Sequence, residues 1–113
     1  MEDNSACTVN QVEEAWIEVL SAMFAQAVPK LFSKTKRPWL DVFEHRLEFS
    51  KYEEDVPSVL QTLGNRLSIQ GLTVPLDKVE YLKKCSEMSL DVLRRWTKYI
   101  ALKAYEKWRG ERR

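Results

Sequence analysis

Residues 76–109 read LDKVEYLKKCSEMSLDVLRRWTKYIALKAYEKWR and contain neither glycine nor proline. Nothing in that run forces a helix to stop, since proline removes a backbone donor and glycine weakens a helical interior. Apolar residues recur at Leu76, Val79, Leu82, Cys85, Val92, Leu93, Trp96, Tyr99 and Ile100, the three-and-four spacing of one helical face. Trp96, Tyr99 and Ile100 fall at i, i+3 and i+4 and are expected in a core. Pro75 or Asp77 opens the region, and Gly110 with the bases after it ends it. One long helix to about Trp108, or two split near Ser86–Ser89, fits this pattern.

The same period appears upstream. Thr8 followed by Gln11 reads as a capping box. Val12, Trp16, Val19, Leu20, Met23, Phe24 and Ala27 then form a stripe, with acids near the start where a helix dipole favours them. Pro29 breaks or kinks this helix, and Leu31 and Phe32 continue its stripe. Pro38 suits the first turn of a further helix carrying Trp39, Val42, Phe43 and Leu47. Asp55 and Pro57 open another, with Val59, Leu60, Leu63 and Leu67 on one face. Gly64 weakens it by about 1 kcal/mol, and Gly71 is expected to stop it. Leu72, Thr73 and Val74 form an extended link.

The predicted architecture is therefore all-α: a compact bundle of four to five helices with a long C-terminal helical segment. A chain of 113 residues with 44% apolar and 31% charged residues makes one domain, 1–113, able to bury a core without disulfides or a metal. Residues 1–7 are expected to fray, and 109–113 form a basic tail. Three glycines and four prolines are too few for the many tight turns of a β-sandwich. No apolar run reaches the about 18–20 residues that span a bilayer. The opening is acidic (Glu2, Asp3), unlike a secretory signal. Cys7 and Cys85 are far apart, with no CxxC and no zinc-finger spacing. Both are read as reduced thiols of a cytoplasmic protein.

Catalytic and cofactor signatures are absent. His45 is the single histidine, and nothing local positions it against Cys85 as a dyad. Asp41 and His45, like Glu44 and Glu48, stand at i, i+4, but no second Glu-x-x-His completes a di-metal centre. These residues read as helical surface charge. Phosphate-binding and dinucleotide loops are missing. The chain is expected to be no enzyme and to carry no cofactor or metal.

Charge is the informative feature. The net charge of +1 conceals blocks. Residues 1–27 carry five acids and no base, residues 28–40 four bases and no acid, and residues 77–113 eleven bases against six acids. Arg94, Arg95, Lys98, Lys103, Lys107 and Arg109 are interleaved with Trp96, Tyr99, Tyr105 and Trp108. Cations spaced along a rigid element suit a phosphate backbone, and aromatic planes suit exposed bases. Lys34, Lys36 and Arg37 form a second basic patch before Trp39. Tyr105 and Trp108, near the end of the helix, are expected to be exposed or at an interface, and Trp39 is a third candidate anchor for a protein partner. No helix-turn-helix spacing is evident, so sequence-specific readout is not expected.

The stretch from Tyr81-Leu82-Lys83-Lys84 through Arg94-Arg95-Trp96-Thr97-Lys98-Tyr99, with the size, helical pattern and blocked charge, resembles the small subunit of CRISPR effector complexes. That resemblance implies a non-catalytic subunit, stacked head to tail in several copies beside a guide RNA–target duplex, cradling the displaced strand with Lys and Arg. The expected role is thus a helical subunit of a nucleoprotein complex that contacts nucleic-acid backbone and other protein subunits, without a membrane. The alternative is a helical adaptor that binds protein alone.

Overall fold

The computed structural model describes residues 7–26, 55–66, 69 and 71–112, and for Arg66, Thr97, Lys98, Arg109, Glu111 and Arg112 it describes the backbone alone. The helix expected around Trp39, the basic patch Lys34, Lys36 and Arg37, and His45 lie outside the described residues. Four helices account for most of the rest: α1 (Val9–Gln26), α2 (Val56–Arg66), α3 (Leu76–Lys84) and α4 (Ser86–Arg112). The chain is all-α, with no strand among the described residues.

Helix α1 starts where its cap predicts. The Gln11 backbone N–H donates to Thr8 Oγ1 at 3.2 Å, and the Val12 N–H donates to the Thr8 carbonyl at 2.9 Å. Orphan donors of the first turn are thereby satisfied. The reciprocal half of the box differs from expectation, because the Thr8 hydroxyl donates to Gln11 Oε1 at 3.3 Å. The first turn holds no acid. Glu13 and Glu14 stand a turn further in, past the reach of the helix-dipole effect. Val12, Trp16, Val19, Leu20, Met23 and Phe24 are all essentially sequestered from solvent.

At its far end α1 is tied to the link before α3. The Gln26 side-chain amide donates to the Thr73 carbonyl, and the Thr73 N–H donates back to Gln26 Oε1 at 2.9 Å. One side chain thus holds an otherwise unpaired stretch of backbone. The link is non-helical, as its sequence predicts. Gly71 within it has φ of +68°, a conformation that glycine adopts without a Cβ penalty.

Asp55 caps α2: the Ser58 N–H donates to Asp55 Oδ1 at 2.8 Å. That hydrogen bond, with a lesser one from the Ser58 side chain, holds the Asp55 carboxyl below its ordinary value, because both stabilise the charged form. The helix is described as far as Arg66, and Ile69 already stands outside it, short of the stop expected at Gly71. The Ile69 N–H instead turns back to the Gly64 carbonyl at 2.9 Å.

The long C-terminal region is two helices, divided at Cys85, which has φ −102° and ψ 41°. The Cys85 N–H still reaches the Tyr81 carbonyl at 3.0 Å. The buried Ser89 hydroxyl donates to the Leu82 carbonyl at 2.8 Å, the acceptor that residue 86 would take in an unbroken helix. Trp16 closes the same joint from α1, its indole N–H donating to the Ser89 carbonyl at 2.9 Å. A second irregularity lies inside α4, where Trp96 adopts φ −119° and ψ 27°.

Cys7 and Cys85 are joined as a disulfide, with Cα atoms 5.8 Å apart and a sequence separation of 78. This corrects the reading of two reduced thiols. It also corrects the reading of Cys7 as part of a frayed end, since the bond pins it to the elbow between α3 and α4. Sequence spacing could not reveal the pair, because only folding brings positions so distant together.

Helix α1 packs most extensively on α4 and next on α3. Their shared core joins Trp16, Leu20, Met23 and Phe24 to Leu82, Leu93, Ile100 and Trp108, with Ala101 and Ala104 fully buried between them. Small residues at that contact let two helix backbones approach closely. Val56, Val59, Leu60 and Leu63 seat α2 in the same core.

Candidate nucleic-acid interface on α4

The core stripe of α4 determines what the helix shows to solvent. Leu93, Ile100, Ala104 and Trp108 face inward, leaving Arg94, Arg95, Trp96, Tyr99, Leu102 and Lys103 exposed. Arg95, Tyr99 and Lys103 succeed one another at intervals of four, and Trp96 stands three before Tyr99. Tyr99 and Lys103 therefore share one side of the helix, whereas Arg95 stands before the irregularity at Trp96.

Each expected cation has a particular setting. Arg95 Nε lies 3.2 Å from Asp91 Oδ2, one turn earlier. Both side chains are well over half exposed, so the pair is weak and yields readily to another anion. Lys103 Nζ lies 5.6 Å from the centre of the Tyr99 ring, within cation–π range. Lys107 turns away from this strip, its Nζ 3.6 Å from Glu18 Oε2 on α1. Lys103 and Lys107, at i, i+4, thus serve different neighbours. Lys98 and Arg109 are on α4 by their backbone. Of the cations expected on α4, Arg94, Arg95 and Lys103 are the exposed ones among the described side chains. Whether the patch at Lys34, Lys36 and Arg37 joins them lies outside the described residues.

The aromatic residues reverse the sequence expectation. Trp96 and Tyr99, read as core, are 50% and 47% exposed. Trp108, read as exposed or at an interface, is 7% exposed, and Tyr105, read in the same way, is half-buried. Tyr105 packs edge-on against Phe24 at 6.3 Å between ring centres and lies 5.5 Å from Trp108. These two rings finish the α1–α4 core and leave no free anchor at the end of the helix. Of the three anchors expected for a protein partner, Trp39 lies outside the described residues. The exposed pair, by contrast, stands directly among the cations.

Elsewhere, an open apolar groove of about 430 Å³ runs between α2 and α3, floored by Leu60, Ile69, Leu72 and Val79. Lys83 at its rim is paired with Glu80 at 3.5 Å. Among the described residues no three His, Cys, Asp or Glu side chains converge on a possible metal position. No helix among them is long and apolar enough to cross a membrane. No protein-family model, curated protein or solved structure matches this chain.

Proposed function

We propose that this chain is a non-catalytic helical subunit that contacts the phosphate backbone of a nucleic acid through α4, with Arg94, Arg95 and Lys103 as its first contacts. The observation that carries this reading is the exposure of those three cations along α4, on either side of its irregularity at Trp96, beside two half-exposed aromatic rings. Lys98 and Arg109 extend the same helix, and Lys34, Lys36 and Arg37 offer a second patch. Such contacts position a strand without reading its sequence. Other protein subunits, or head-to-tail copies of this chain, complete the complex, and the opposed acidic and basic blocks of the sequence suit that stacking. Assembly beside a guide RNA–target duplex, as the resemblance to CRISPR effector small subunits implies, is one form of this role.

A cytoplasmic site of action belongs to the same reading, and the Cys7–Cys85 disulfide is the feature that opposes it. Thiols are kept reduced in most cytosols, intracellular proteins of hyperthermophiles excepted. The adaptor reading is second. It draws on the exposed apolar surface of Leu76 and Leu102 and has lost Tyr105 and Trp108 as free anchors.

The test is fluorescence anisotropy of labelled single strand and duplex against the purified chain at two salt concentrations. Binding is expected to fall steeply with salt, because each phosphate contact releases counterions. Reversal of charge at Arg94 and Arg95 should weaken it further and flatten the salt dependence. Binding indifferent to salt, or to those reversals, overturns the backbone model.

A further inference from the structure

Trp96 and Tyr99 are where the fold departs from what their chemistry favours. Large aromatic side chains normally supply the core of a small bundle, and Trp16 and Trp108 do so here. Trp96 and Tyr99 instead leave about half their surface in water, one turn apart on α4. The backbone at Trp96 departs from helical geometry, so the indole sits at a local bend. Arg94 and Arg95 precede the pair, and Lys103 lies over the Tyr99 ring from the turn beyond. Rings flanked by cations on both sides match a ligand that carries negative charge along its length and flat apolar faces at intervals. A single-stranded nucleic acid has both. A duplex offers its phosphates but keeps its base faces stacked inside.

We infer that the α4 strip takes a single strand whose unpaired bases stack on Trp96 and Tyr99 while its phosphates engage Arg94, Arg95 and Lys103. The inference rests on the backbone-contact reading above and adds to it the ligand class and two residues not assigned there. It also gives Asp91 a role. Its carboxylate occupies the Arg95 guanidinium in the free protein, so an incoming phosphate has to displace it. Asp91 therefore lowers the affinity of the strip.

The experiment titrates the full chain with three labelled probes: an oligothymidylate, a base-free strand of the same length, and a duplex. Wild-type protein should bind the oligothymidylate more tightly than the base-free strand or the duplex. Trp96→Ala and Tyr99→Ala should each lose roughly five- to hundredfold on the oligothymidylate and leave base-free binding unchanged. Trp96→Phe should retain most of the affinity, and Asp91→Asn should tighten binding to all three probes. Both aromatic side chains lie outside the buried core, so the alanine variants keep the wild-type helical circular dichroism. Equal binding of thymidylate and base-free strand, unmoved by either alanine variant but weakened by Arg94→Glu, overturns stacking and leaves the backbone reading standing. Equal loss on both strands in the alanine variants also overturns stacking, since a missing ring would then act without bases. Absence of salt-sensitive binding to any probe overturns both, and recovery of a stoichiometric protein partner in that case assigns the strip to protein recognition.

Discussion

Gly64 lies buried within α2, where a Cβ would meet Leu72 Cδ2 at 3.6 Å, an ordinary contact distance. Gly64→Ala is therefore expected to stabilise the fold by about 1 kcal/mol, read as a higher denaturant midpoint at unchanged slope. At Gly71 nothing lies within 4 Å of a Cβ, but the φ is +68°, so alanine there should shift the midpoint the other way. The sequence shows that both glycines punctuate a helix, yet it does not separate them. The sign of each substitution depends on backbone angle and neighbour, which are tertiary facts. Thr8 and Asp55 are the opposite case. Their capping roles depend on residues only three positions away, so both are legible in the chain.

Among the elements, the joint between α3 and α4 is the most dependent on single atoms. Ser89 is fully buried, with its hydroxyl on the Leu82 carbonyl and its own carbonyl receiving the Trp16 indole N–H. Ser89→Ala leaves the Leu82 carbonyl without that donor and should destabilise by about 1–3 kcal/mol. Chemical denaturation measures this directly, and a loss within error would show that the elbow is held by its packing alone. The periodicity of α1 is readable because its large inward residues, Val12, Trp16, Val19, Leu20, Met23 and Phe24, keep the three-and-four spacing without a break. In α4 the same reading failed at Trp96 and Tyr99. The inward stripe runs Leu93, Ile100, Ala104, Trp108; Tyr99 lies one residue from its line, about 100° around the helix, and Trp96, which a regular helix would turn inward, sits where the backbone departs from helical geometry. The cations of the candidate site could be picked out from the sequence, but the aromatic side chains that accompany them could not.

At the scale of the whole molecule, the bundle is closed by a bond between the residue that leads into α1 and the elbow that begins α4. Closing a loop of that length removes about 4.5 kcal/mol of chain entropy from the unfolded state in the simplest treatment. Reduction, or Cys7→Ser with Cys85→Ser, should lower unfolding stability by an amount of that order while leaving the helical content near its folded value. Equal midpoints with and without reductant would show that the interlocked α1–α4 core alone sets the stability. The helical bundle was expected from period and composition, because those signals are local. The covalent closure was not, because it joins positions that only the finished fold makes neighbours.

The bond also changes how the chain carries load. Oxidised, the protein is a covalent ring with a single arm: Cys7 and Cys85 close the ring, and α4 extends from it. Tension applied at the two ends passes directly from sulfur to sulfur into α4, bypassing α1, α2 and α3. Roughly 260–280 Å of contour length, at the span of an extended residue, stays out of reach of the pull until the bridge is cut. A pull on the exposed face of α4 would reach the ring both through the elbow and through the core that α4 shares with α1.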